Sequence, residues 1–198
     1  MLVRLTVPCK PDVVSELIKR AAMLAESYLA EAPPTRWRHV QAVATKATRV
    51  ASMLSPDDAE VLVAAAWLHD VGYAPHVVNT GLHSLDGARQ LLRDGIPRRV
   101  ADLVAYHSCA TFEATKRGLA SLLTEEFTDE KSSVTDALWY ADMTTGPSGH
   151  SLSVSDRLGE VRQRYGPEHV ITRFWAQAEP TLVAAVTRTE ERLGTQPR

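Results

Sequence analysis

The sequence predicts an all-α protein built as a single compact helical bundle. Three observations predict it. Apolar residues recur at steps of three and four over most of the chain. The breaks between these stretches carry proline or glycine, and no run alternates apolar with polar residues as a half-buried strand would. The apolar fraction, 44% over 198 residues, suffices for a core without covalent staples.

The elements follow in order. Residues 1–8 read as a short extended segment ending at Pro8. From Val13 to Ala30 the positions Val13, Leu17, Ile18, Ala21, Leu24, Ala25 and Tyr28 form one helical stripe, which Pro33 and Pro34 end. A second helix is expected over Thr35–Leu54, striped by Val40, Val43, Ala44, Ala47, Val50, Ala51 and Leu54. Ser55 caps a third, with Pro56 in its first turn and Asp57 and Asp58 near its positive end. That helix carries Val61, Leu62, Ala65, Ala66 and Leu68, and Gly72 and Pro75 close it.

After a loop, helices are expected near 83–93, 97–108, 112–126, 131–143, 153–165 and 168–192. Gly95-Ile96-Pro97 separates the first two. Thr144 to Ser151 is a break rich in Gly, Pro, Ser and Thr, and Gly166-Pro167 is another stop. Pro180 is expected to kink or split the last helix. No internal repeat divides the chain, so one domain over 1–198 is expected.

Charge and composition narrow the partners. A formal net charge of −2 without a long basic run disfavours a nucleic-acid polymer. No apolar stretch approaches the roughly 18 residues of a membrane span, and the first residues lack the apolar run of a signal peptide, so a cytoplasmic protein is expected. Cys9 and Cys109 read as two reduced thiols. Trp37, Trp67, Trp139 and Trp175 read as core or core-edge anchors, and His76, His150 and His169 as surface residues.

The informative feature is a set of His and Asp residues in apolar helical contexts. His39 lies beside the stripe of the second helix. His69 and Asp70 end the run Ala64-Ala65-Ala66-Trp67-Leu68-His69-Asp70-Val71-Gly72, and Asp142 sits in Leu138-Trp139-Tyr140-Ala141-Asp142-Met143. A lone buried carboxylate is costly and finds a partner or neutralises. One metal ion would satisfy His39, His69, Asp70 and Asp142 together. Mixed imidazole and carboxylate donors suit Fe, Mn, Co, Ni or Zn, with Mg also admitted. Two His and two Asp would leave open positions for water and substrate on a six-coordinate ion.

The order Arg38-His39, then Leu68-His69-Asp70-Val71-Gly72, then Ala141-Asp142 resembles the HD superfamily of metal-dependent phosphohydrolases over roughly residues 35–145. The resemblance implies a helical bundle in which His39, His69, Asp70 and Asp142 hold a divalent or ferrous ion. Subgroups with two metals add two histidines between the His-Asp pair and the last Asp. His83 and His107 fall in those places, an order similar to the branch containing dinucleoside-tetraphosphate hydrolases. The same six-ligand order occurs in di-iron oxygenases of this fold, which stand as the alternative. A non-catalytic nucleotide-binding regulatory domain is a third reading, which the intact ligand set disfavours. Tyr73 stands where cyclic-dinucleotide phosphodiesterases often carry Lys, and the adjacent His pair usual in them is missing.

The implied activity is hydrolysis of a phosphate ester or anhydride, with a nucleotide as the expected small-molecule substrate and a metal-activated water as nucleophile. Asp70, His83 and His107 are the expected catalytic residues, the two histidines as second-metal ligands or as phosphate contacts and proton donors. Arg36 and Arg38, just before His39, are expected to hold phosphate, and Thr144, Thr145 and Ser148 to line the substrate mouth. The helices beyond residue 153 carry no readable motif. Completing the bundle, covering the site and forming a homodimer face are all open to them.

Overall fold

The computed structural model describes residues 15–30 and 33–194. The expected extended segment at 1–8, the helical start at Val13 and the thiol of Cys9 lie outside the described residues. Among those residues the architecture is all-α, and the sole strand-like pairing is one antiparallel bridge between Thr145 and Ser151.

Among the described residues ten α-helices follow one another: α1 (Glu16–Leu29), α2 (Pro34–Val50), α3 (Pro56–Leu68), α4 (His83–Arg93), α5 (Arg98–Ala105), α6 (Ala110–Arg117), α7 (Ala120–Glu126), α8 (Ser133–Met143), α9 (Val154–Tyr165) and α10 (Val170–Arg192). Short 3₁₀ turns stand at Ala51–Met53, Val71–Tyr73 and His107–Cys109. Side-chain caps start several helices: Ser15 Oγ accepts from Ile18 N, Ser55 Oγ from Asp58 N, and Ser153 Oγ from Asp156 N. Ser132 and Thr135 form a reciprocal capping box at the start of α8.

The organising element is α3. Its segment Leu62-Val63-Ala64-Ala65-Ala66 is buried on every side, and Leu68 follows it into the core. A helix apolar all round belongs at the centre of its bundle. Accordingly α3 packs against α1, α2, α5 and α8. The alanines let these neighbours come close. The consequence for chemistry is direct, because the residues that follow Leu68 are delivered into the middle of the bundle rather than to its surface.

A second, smaller apolar cluster joins Met143, Leu158, Ala178, Leu182 and Val186. It seats α9 and α10 against α8. The C-terminal helices therefore extend the bundle beside the end of α8 that carries Asp142.

Four boundaries differ from the sequence reading. The expected helix over 112–126 is two helices, since Gly118 turns left-handed at φ 71° and closes α6. The second helix ends at Val50 and tightens into a 3₁₀ turn before Leu54. The helix expected over 97–108 stops at Ala105, and His107 lies in a 3₁₀ turn. Pro180 does not split α10. It removes one hydrogen bond to the Ala176 carbonyl, but both residues sit on the exposed side where water can take that carbonyl, while Ala178 and Leu182 hold the helix inward.

Candidate metal centre

Five elements bring six side chains to one point. The C-terminal end of α3 supplies His69 and Asp70. The start of α2 supplies His39, the start of α4 His83, the turn after α5 His107, and the last turn of α8 Asp142. Five of them are buried and His83 is partly exposed. Two triads have ligand atoms all within 4.8 Å of one another: His39, His69 and Asp70, and Asp70, His83 and His107. Asp70 belongs to both. Its Oδ2 lies 3.5 Å from His69 Nε2 and 4.0 Å from His39 Nε2, while its Oδ1 lies 3.8 Å from His83 Nε2. Asp142 Oδ1 stands 3.0 Å from His39 Nε2 and 4.0 Å from His69 Nε2.

The histidines are oriented from behind. His69 Nδ1–H donates to the Ala66 carbonyl at 2.8 Å, and His107 Nδ1–H to the Val104 carbonyl at 2.6 Å. Each uses the free carbonyl of its own last helical turn. His39 Nδ1 meets the Gly146 carbonyl at 3.1 Å, which the loop after α8 presents. A proton on Nδ1 leaves Nε2 as a lone pair aimed at the centre, which is how metal-ligating imidazoles are held.

These lone pairs test whether a cation fits. His69 Nε2 is buried and has no hydrogen-bond partner among the described residues. Burial pushes its pKa down, so the ring is held neutral with a lone pair facing two carboxylates. His39 has an oxygen acceptor at each ring nitrogen, Gly146 O and Asp142 Oδ1. A neutral imidazole carries one N–H, so one contact calls for a cation. His83 and His107 set their Nε2 atoms 3.1 Å apart. Orphaned nitrogen, converging lone pairs and shared carboxylates are the donor set of a divalent transition metal, and the residues fit it.

The carboxylates are charged. Burial works against ionisation of Asp70, yet the Arg36 guanidinium outweighs it and holds the acid well below the usual carboxylate range. Burial likewise opposes ionisation of Asp142, and the contact with His39 overcomes it. For His83, burial first and then His107 push the pKa well down.

A cavity of about 130 Å³ opens on this cluster. One wall holds His39, Asp70, His83, His107 and Asp142, with Arg36 and Tyr73 beside them. Arg36 Nη1 pairs with Asp70 Oδ2 at 2.5 Å, and its guanidinium lies 4.0 Å over the Tyr73 ring, which in turn stacks on His83. The opposite wall comes from α9 and α10, through Arg157, Arg164, Tyr165, Phe174 and Trp175. The C-terminal helices thus cover the site.

Other residues singled out in the sequence are placed elsewhere. Arg38 is exposed and does not line the cavity. Thr144 and Thr145 are buried, their hydroxyls donating back to Tyr140 and Ala141 carbonyls, and neither lines it. Ser148 is exposed and away from the lining. Trp175 is a cavity wall, whereas Trp37 and Trp67 pack against each other with tilted rings at the core margin. His76, His150 and His169 are exposed.

Three supporting residues have little in the sequence that sets them apart. Ser108, held left-handed at φ 46°, donates to Asp142 Oδ2. Gly146 contributes only a carbonyl. Asp86 gathers the loop before His83, accepting from the N–H groups of Asn79, Thr80 and Gly81 and from Thr80 Oγ1. Its place three residues after His83 was the one available hint.

No curated protein and no solved structure matches the chain. One family model does, described as HD domain and matching residues 36–141. That span contains His39, His69, Asp70, His83 and His107 and stops one residue before Asp142. With the matched span carrying the metal-type donors in the order and place the geometry demands, the chain belongs to the HD domain family.

Proposed function

We propose that this protein is a metal-dependent phosphohydrolase that cleaves a phosphate ester or anhydride, with a nucleotide as substrate. The observation that carries the reading is the sharing of Asp70 between two three-residue groups. Such sharing supports two ions, one held by His39, His69, Asp70 and Asp142, the other by Asp70, His83 and His107. When bound there, a divalent transition metal supplies Lewis-acid activation of phosphate and of water.

The chain's own residues do the rest. Asp70 and Asp142 bring negative charge that a cation needs, and the backing carbonyls keep the imidazoles aimed. Arg36 stands at the rim of the ligand cluster, where its planar guanidinium can take a phosphoryl oxygen by forked hydrogen bonds. Tyr73 fixes that guanidinium from one face and the His83 ring from the other. Phe174 and Trp175 exclude water from the far side.

Size supports a phosphate head group inside and the remainder outside. About 130 Å³ is well below the ~300 Å³ and more of pockets that engulf a drug-sized ligand. Tyr73 and Tyr165, 41% and 37% exposed, both line the opening.

The test is phosphate release from nucleoside monophosphates, diphosphates and dinucleoside polyphosphates with Mn(II) or Fe(II) added. Release by wild type and none by Asp70→Ala is expected. No release from any compound, together with two irons per chain and oxygen consumption on a small molecule, would replace this reading with the oxygenase one.

A further inference from the structure

Arg157 is unusual in the covering wall. Its side chain is only 10% exposed, on the inner face of α9. Buried polar atoms normally have partners. Yet its Nε is fully buried and makes no hydrogen bond among the described residues, and the residue lines the cavity that opens on the His/Asp cluster. The guanidinium is fixed from two sides. Nη1 pairs with Glu160 at 2.5 Å, and the indole of Trp175 lies 5.7 Å from the guanidinium carbon.

Charge points the same way. Glu160 also pairs with Arg164, a second cavity residue. One carboxylate therefore serves two guanidiniums, and among the described residues one positive charge on this wall has no counter-ion of its own. An acidic residue in the same lining, Glu113, is already taken by Arg117. The unbalanced charge and the residue with the unused N–H both belong to the lining of the same small space.

We infer that Arg157 is a specificity-determining residue that receives a second anionic group of the substrate, so that the cavity takes a diphosphate-type head group. This rests on the phosphohydrolase reading for its substrate class. One phosphoryl group lies at the His/Asp end beside Arg36, and the adjoining phosphoryl group lies on Arg157. A nucleoside diphosphate or longer polyphosphate satisfies both ends, and a monophosphate satisfies one.

The experiment is calorimetric titration of methylenediphosphonate and of methylphosphonate into the Mn(II)-loaded protein, for wild type, Arg157→Met and Glu160→Gln. Wild type is expected to prefer the diphosphonate. Arg157→Met should cut that preference about tenfold or more with methylphosphonate binding unchanged, and Glu160→Gln, which frees the guanidinium, should enlarge it. A preference unchanged in both variants overturns the assignment, and Glu160→Gln decides alone if Arg157→Met does not fold. Phosphate release is followed in parallel. Release by wild type with an unaltered preference in the variants rejects Arg157 and leaves the phosphohydrolase reading intact. Altered preferences without release from any nucleotide keep the anion site and reject the hydrolytic reading.

Discussion

Arg36 Nη1 lies 2.5 Å from Asp70 Oδ2, the same carboxylate oxygen that faces His39 and His69. A fixed cation therefore stands against the oxygen best placed for a metal. A metal held there would repel the guanidinium, and Arg36, which lines the cavity, would then be available to phosphate. Arg36→Met is expected to raise KM roughly tenfold to a hundredfold, as loss of a hydrogen bond to a charged group would. Metal content should not fall. Steady-state kinetics with elemental analysis on the same preparations checks both halves. Lost metal with unchanged KM would show that Arg36 only supports Asp70.

Gly72 holds the second triad in register. A Cβ built there would meet the His83 carbonyl oxygen at 1.8 Å and Gly87 N at 2.9 Å. These are backbone atoms that cannot step aside without moving α4. Gly72→Ala should destabilise the fold by about 1–3 kcal/mol and shift His83 away from Asp70. Urea unfolding reads the first effect, and reduced metal stoichiometry reads the second. An alanine variant as stable and as metal-rich as wild type would contradict the packing described.

The C-terminal cover is tied down by Asp136. On α8 it accepts from Arg188 at 2.9 and 2.6 Å and from Arg192 at 2.8 Å, both on α10. Burial pushes its pKa up, but these hydrogen bonds prevail and hold it below the ordinary value. The unfolded chain thus binds this proton more readily than the folded one, and acid favours unfolding. The contribution is complete above about pH 4 and is lost as pH falls through the folded pKa. Both arginines are more than a third exposed, so screening limits it to about 1 kcal/mol. Asp136→Asn should lose that amount at pH 7, and the gap from wild type should narrow as pH falls through the folded pKa.

Much of this centre was legible from the sequence because its logic is local. His69 and Asp70 close an apolar run that only a central helix could use, and a charged pair there needs a partner. His39 and Asp142 sit beside stripes that point inward. What stayed hidden depends on distant contacts. The carbonyl of Gly146 behind His39 and the hydroxyl of Ser108 on Asp142 belong to residues with no pattern of their own. Arg157 reads as one more charge on an exposed helix until α10 packs over it. The break at Gly118 shows a different failure, a turn residue inside a helical spacing that tolerated either outcome.

The most direct test of the central claim is metal stoichiometry measured beside phosphate release, for wild type and Asp70→Ala purified in parallel. Asp70 is the residue both triads share, so its loss should empty both positions and abolish turnover while far-UV circular dichroism stays helical. Two ions per wild-type chain, with none and no activity in the variant, is the expected result. An Asp70→Ala protein that keeps its metal and its activity would contradict the account at its root.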